Sequence, residues 1–131
     1  MEKEFVPYEL ALKLKKLGFD EPCLGYYAAY ILCTGQPQEI QLDENGNYKK
    51  SKTESFPIIA APTYSQAFRW FREKYKLSGI IEIGTQEYSF IIFDEEKDSR
   101  EITSSMNGSY EEAELACLKK LIEIVEERNN E

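Results

Sequence analysis

Three segments of the chain open with the same device, a tyrosine followed three residues later by an alanine: Tyr8/Ala11, Tyr64/Ala67 and Tyr110/Ala113. In the second and third, Thr63 with Gln66 and Ser109 with Glu112 form the capping-box pattern, in which a hydroxyl and a longer polar side chain satisfy each other's orphan backbone donors. Each is therefore a helix start, with its tyrosine in the first turn folded back onto the core. Apolar runs and turn signals lie between them, so the order is helix, strands, helix, hairpin, helix. That order predicts an α+β fold, a mainly antiparallel sheet with about three helices packed on it. At 131 residues the chain fits a single globular domain over residues 1–131 with short frayed ends. Internal duplication would account for the repeated starts, but helix-start chemistry converges easily and the intervening strands share no matching residues.

The first helix is expected from Pro7 to Leu17, with proline in the first turn and Gly18 just past the end. Leu10, Leu14 and Leu17 make its buried stripe, Lys13, Lys15 and Lys16 stay in water, and Phe19 folds back against the C-terminus. Residues 23–33 are apolar throughout and suit either a central strand covered on both faces or a short buried helix; periodicity does not separate the two. Thr34 to Pro37 reads as a turn, Glu39 to Leu42 as a neighbouring strand, Asn45-Gly46 as a tight turn, and Lys49 to Ser55 as a polar loop. Phe56 to Ala61 is extended. The second helix should run from Tyr64 to Tyr75, burying Tyr64, Ala67, Phe68, Phe71 and Tyr75, and should end at Leu77-Ser78-Gly79. Ile80 to Ile83 and Tyr88 to Phe93 form a hairpin, a charged connection from Asp94 to Glu101 follows, and Ile102 extends an edge strand. Asn107-Gly108 marks a turn. The last helix, Tyr110 to Glu127, buries Tyr110, Ala113, Cys117, Leu121, Ile124 and Val125, while Leu115, Leu118 and Ile122 widen its apolar face beyond one stripe.

The chain has no histidine, which removes the usual general base near neutral pH and excludes Ser-His-Asp and Cys-His catalysis and His-containing zinc sites. Cys23, Cys33 and Cys117 are an odd count without a Cys-x-x-Cys pair, so reduced and largely buried thiols are expected. The net charge of −8 is uneven. Residues 1–93 hold 12 acidic and 11 basic side chains, whereas residues 94–131 hold 12 acidic and 5 basic. This balance argues against nucleic acid as partner, because such affinity comes largely from counterion release by Lys and Arg. The first residues carry charge rather than an apolar run, and no segment has the roughly 20 apolar residues of a membrane span, so a cytoplasmic protein is expected.

Leu17 to Cys23, Pro62 to Tyr75 and Ser109 to Val125 resemble segments of short acidic proteins found in Bacteroides-type gut bacteria and their phages or mobile elements. That group has no assigned activity. The resemblance covers a little under a third of the chain and implies an intracellular accessory role of phage or mobile-element origin. It carries over no catalytic, ligand-binding or metal-binding residue.

Among the chemistry-bearing residues, Glu82 and Glu87 across the hairpin form a hydrolase-like dyad on paper, but carboxylates at a hairpin rim are usually solvated. Asp20-Glu21 offers oxygen ligands without the spacing of a calcium loop. The glycines never cluster as a phosphate loop. No catalytic residue, cofactor or metal is expected. The second helix brings together Trp70 with Arg69, Arg72, Lys74 and Lys76, residue types that stack on and neutralise single strands. On a helical wheel the groups split onto two flanks, so a tryptophan covering the core edge, packed on one side and wet on the other, is the preferred reading. The expected function is a non-enzymatic protein-interaction domain acting on a protein partner or as a homodimer. Trp70, Arg69, Arg72, Lys74, Leu115 and Ile122 are the candidate contact residues, the last two as exposed apolar positions. The alternatives are a nucleic-acid-binding or DNA-mimic regulator and a carboxylate-dependent enzyme.

Overall fold

A computed structural model describes residues 2–34, 44–49, 55–103 and 108–131. The fold is α+β, with antiparallel sheets and three α-helices among the described residues, in the order helix, strands, helix, hairpin, helix. It divides into two compact units, Met1–Thr63 and Tyr64–Glu131.

In the first unit, α1 (Tyr8–Lys16) follows Pro7, whose φ of −60° is already that of a first turn. Its end is a Schellman motif: Gly18 takes φ +103°, Phe19 N–H donates to the Leu14 carbonyl at 3.0 Å, and Gly18 N–H donates to that of Lys15 at 3.0 Å. Phe19 is buried, as the glycine cap requires. The apolar run at residues 23–33 is neither one strand nor a helix. It is a hairpin of β1 (Gly25–Ala28) and β2 (Ile31–Thr34), with Ala29-Tyr30 as its two-residue loop. Apolar periodicity could not reveal this turn, because neither loop residue is one of the usual breakers.

β1 is the central strand of a three-stranded antiparallel sheet, flanked by β2 and by β5 (Ile58–Ala61). Two residue pairs, Gly25↔Ala61 and Tyr27↔Ile59, share one face. On that face a Cβ at Gly25 would lie 2.9 Å from the Phe5 ring, and the Tyr27 hydroxyl donates to the Val6 carbonyl at 2.7 Å. Phe5, Val6, Leu10, Leu14, Tyr27, Ile59 and Ala61 are buried. A second small pairing joins β3 (Tyr48–Lys49) to β4 (Ser55–Phe56). Gly46 has φ +82° in the turn before β3, as Asn45-Gly46 predicts. Residues 35–43 and 50–54, where the Gly35 to Pro37 turn, the Glu39 to Leu42 strand and most of the polar loop were expected, lie outside the described residues, as does Asn107.

The second unit begins with α2 (Tyr64–Tyr75) and passes directly into β6 (Leu77–Ile83). Leu77-Ser78-Gly79 is therefore strand and not a helix-ending turn; Lys76 makes the switch alone, at φ +58°. β6 pairs antiparallel with β7 (Tyr88–Asp94), and β7 with β8 (Ser99–Thr103), so the expected charged connection is shorter than its charge suggests. α3 (Tyr110–Asn129) opens with the Ser109 hydroxyl accepting from Glu112 N–H at 3.1 Å. Gly79 marks the face that meets the helices: a Cβ there would lie 2.7 Å from Cys117 Sγ, 3.3 Å from Leu121 and 3.5 Å from Phe68. Ala67, Phe71, Leu77, Ile92, Ala113, Cys117, Leu118, Leu121 and Val125 are fully enclosed.

The repeated helix starts resolve by residue. All three alanines are buried, whereas the tyrosines grade from buried Tyr64 through half-buried Tyr8 to Tyr110, which is 41% exposed. Tyr110 thus departs from its expected place in the core. No helix among the described residues is long and apolar enough to cross a membrane.

Candidate functional site

Two surfaces and one cleft stand out from the packed interior. The first surface lies at the β1–β2 turn. Ala29 and Tyr30 have φ of +51° and +68°, the backbone signature of a two-residue I′ turn, a conformation that normally selects Asn and Gly. Tyr30 is 69% exposed, yet its ring meets Tyr8 edge-on at 4.8 Å, and Tyr8 meets Tyr27 edge-on at 5.5 Å. Tyr8, Ala29, Tyr30, Phe56 and Pro57 line a small cleft of about 30 Å³.

The second surface is at the other end of the chain. Ile83 and Tyr88 face each other across the hairpin, and Tyr88 meets Tyr110 edge-on at 6.1 Å. Ile83 is 73% exposed. Burial, and then the nearby Glu114 and Glu111 carboxylates, raise the pKa of the Tyr110 phenol above its ordinary value.

The cleft, about 520 Å³, is lined by Asp94, Glu96, Lys97, Lys120, Ile124, Glu127, Arg128 and Glu131. Its organising group is Asp94, the one charged side chain buried among the described residues. Asp94 Oδ1 accepts from Glu96 N–H at 3.0 Å and Lys97 N–H at 3.2 Å, and Oδ2 accepts from Arg128 Nη2 at 2.7 Å. Burial pushes the Asp94 pKa up, but the Arg128 hydrogen bond and charge and the two backbone donors outweigh it, leaving the pKa below its ordinary value. Lys120 is held by Glu123 at 2.8 Å, and that hydrogen bond raises its pKa despite some burial. The cleft thus mixes both signs of charge, and its central pair ties α3 to the turn after β7.

The residues expected to act are placed differently from one another. Trp70 is 5% exposed, so it is core rather than half-wet, and it packs edge-on against Phe71 at 5.1 Å and Tyr75 at 5.4 Å. Lys74, itself exposed, lies over both Trp70 and Tyr75, 5.0 and 5.5 Å from their ring centres, so this cation is engaged by rings of its own helix. Arg69 and Arg72 are exposed. No free aromatic face joins them from Trp70. Ile122 is 1% exposed and lies in the core with Leu118, while Leu115 is half-buried, so the wide apolar face of α3 is used within the fold at Ile122. Glu82 and Glu87 belong to non-facing positions, since Glu82 pairs with Ser89, and both are exposed; Asp20 is exposed and Glu21 half-buried. Of the cysteines, Cys117 alone is buried, while Cys23 and Cys33 are half-buried. Burial and Glu114 push the Cys117 thiol to about 12, which removes it as a nucleophile. Among the described residues no group of acidic and cysteine side chains is arranged to hold a metal.

Sequence reading missed Tyr30, Asp94 and Arg128. For Asp94 a signal existed, an aspartate closing an apolar run and three residues before Lys97; nothing local points to Arg128, 34 residues on. Comparison with protein-family models, characterised proteins and solved structures finds no match for the chain.

Proposed function

We propose that the protein works by binding another protein, and that the tyrosine-lined turn of the first unit is a contact point. The observation that carries this reading is the turn itself. Holding two L-residues at positive φ costs roughly 1–2 kcal/mol each, and the result is a large ring held mostly in water rather than one packed away. Local strain that displays a side chain is a feature of binding sites. Tyrosine is suited to the task, offering a broad rigid contact with few rotatable bonds and a hydroxyl that pairs with polar groups.

The test is affinity capture from the native host, comparing wild type with Tyr30→Asn. Asparagine tolerates positive φ, so the turn is kept while the ring is removed. A partner recovered by wild type and lost with the variant, at undiminished thermal stability, supports the reading. Equal recovery by both proteins overturns it.

A further inference from the structure

In the second unit β6 has a neighbour on one side only. The strand order is β6-β7-β8, and among the described residues no other strand pairs with β6. Gly84 N–H donates to the Glu87 carbonyl at 2.7 Å and Glu95 N–H to that of Lys76 at 3.0 Å, so the β6 residues that exchange backbone hydrogen bonds with β7 are the even-numbered ones. The N–H and C=O groups of Leu77, Gly79, Ile81 and Ile83 therefore point away from the sheet. Leu77 is fully enclosed, backbone included, which closes one end of this edge. Gly79 and Ile81 are half-buried and Ile83 is exposed, so the open edge runs from Gly79 to Ile83.

Soluble proteins blunt a free edge with lysine, proline, charge or a bulge. β8, at the opposite edge, follows that practice: it carries Arg100 and Glu101, and its pairing with β7 shifts register between Ile92 and Phe93. β6 contains no lysine, proline or register shift, and its one charged residue is Glu82. The open stretch is also its own complement. Turned about a two-fold axis at Ile81, it pairs Gly79 of one copy with Ile83 of the other, twice, and Ile81 with Ile81, the three residues whose outward backbone groups are accessible. The exposed Ile83 side chain then lies beside a position that has no side chain of its own. A longer guest strand would run on past Gly79 to the enclosed Leu77, whereas a second copy turns away there, because its hairpin loop begins at Gly84.

We propose that the Gly79–Ile83 edge of β6 is a self-association site, at which two copies of the chain join antiparallel about Ile81 and continue the β6-β7-β8 sheet from one copy into the other. On the opposite face of the strand this register sets Ile80 of one copy against Glu82 of the other in a non-hydrogen-bonded pair, where side chains approach most closely. It also leaves the two Glu82 carboxylates as diagonal neighbours. Their repulsion opposes the pairing, so association strengthens when salt is added or when Glu82 is neutralised. The site is separate from the Tyr30 turn and does not depend on its role.

Sedimentation velocity on the full chain, from micromolar to millimolar concentration, should show a monomer–dimer equilibrium. Ile83→Lys, which sets a charge beside Gly79 while lowering the net negative charge, should weaken the dimer 10-fold or more. Glu82→Gln should strengthen it 2-fold or more. Leu115→Ser, on the apolar side of α3, should leave it within 2-fold. Cross-linking reads the register. In a background of Cys23→Ser and Cys33→Ser, a mixture of Ile80→Cys and Glu82→Cys chains should give more disulfide-linked dimer on oxidation than either variant alone, because opposed residues of a non-hydrogen-bonded pair lie within disulfide reach. Circular dichroism melts confirm that each variant is folded; the cysteine variants, at exposed positions, keep the test open if Ile83→Lys unfolds. A monomer at millimolar concentration, or a dimer that Ile83→Lys leaves within 2-fold, that Glu82→Gln weakens or that Leu115→Ser abolishes, overturns the proposal, as does cross-linking no greater in the mixture than in the single variants.

Discussion

Asp94 and Arg128 are partners of unequal exposure, and the difference sets what each substitution does. The carboxylate is almost fully enclosed, whereas about a third of the Arg128 side chain remains accessible. Arg128→Ala leaves a buried charge short of its cation and should cost about 3–5 kcal/mol. Asp94→Asn leaves an arginine able to reach water and should cost less, about 1.5–3 kcal/mol, the range for a hydrogen bond to a charged group. Urea denaturation of both variants checks the order, and the reverse order would mean that Asp94 is held mainly by its backbone donors. Its pKa lies below the ordinary 3.8 in the folded chain, so its contribution is full at neutral pH, where both states are ionised, and is lost as pH falls through the lowered folded value. Asp94→Asn should therefore flatten the stability curve below about pH 4. Trp70 supplies the second test at this scale: Trp70→Ala should cost about 3–5 kcal/mol, because its ring is enclosed by Phe71, Tyr75 and Lys74. A urea midpoint unchanged from wild type would return this residue to the surface.

At the scale of elements, the close approach of β6 to α3 depends on a missing side chain. Gly79→Ala would put a methyl group 2.7 Å from Cys117 Sγ and should destabilise by about 1–3 kcal/mol, the cost of overpacking. Cys117→Ala in the same chain removes the obstructing sulfur, so the double variant should lose less than the sum of the single losses, which a double-mutant cycle measures. Simple addition of the two losses would show that Leu121, 3.3 Å away, is the true obstacle. The β1–β2 turn gives the opposite sign. Replacing Ala29-Tyr30 with Asn-Gly suits the left-handed backbone and should raise stability by about 1 kcal/mol or more, while removing the displayed ring. These two sites also mark what the sequence makes legible. The second helix was readable to its end residues, and the first helix to its glycine cap, because caps and apolar stripes are local signals. The hairpin within residues 23–33 was not, since its turn runs against local preference, and Leu77-Ser78-Gly79 read as a turn although it is strand, because Gly79 serves packing and not a break. Candidate contacts failed for a related reason. A helical wheel ranks Trp70 and Ile122 by angle alone, whereas their burial depends on what the sheet and neighbouring helix bring to them.

For the whole molecule, charge is the property that acts at a distance. The net −8 is concentrated in residues 94–131, and the cations there are partly committed: Arg128 to Asp94 and Lys120 to Glu123. In the preceding half Lys74 lies over Trp70, which leaves Arg69 and Arg72 exposed without the tryptophan face that a stacking platform needs. Nucleic-acid affinity scales with the number of phosphates neutralised, so the chain should show no appreciable binding to DNA or RNA at physiological salt. Fluorescence anisotropy with labelled single- and double-stranded probes measures this, and submicromolar binding that weakens steeply with salt would contradict it. A DNA-mimic role makes a different demand, since the carboxylates of α3 would then have to compete with nucleic acid for a cationic protein. In that competition Glu126→Gln with Glu127→Gln should weaken binding as much as Glu111→Gln with Glu114→Gln, because mimicry uses the length of the acidic surface. A loss confined to one of the two charge-matched pairs, titrated at two salt concentrations, would instead show a local contact and not the long-range field that mimicry needs.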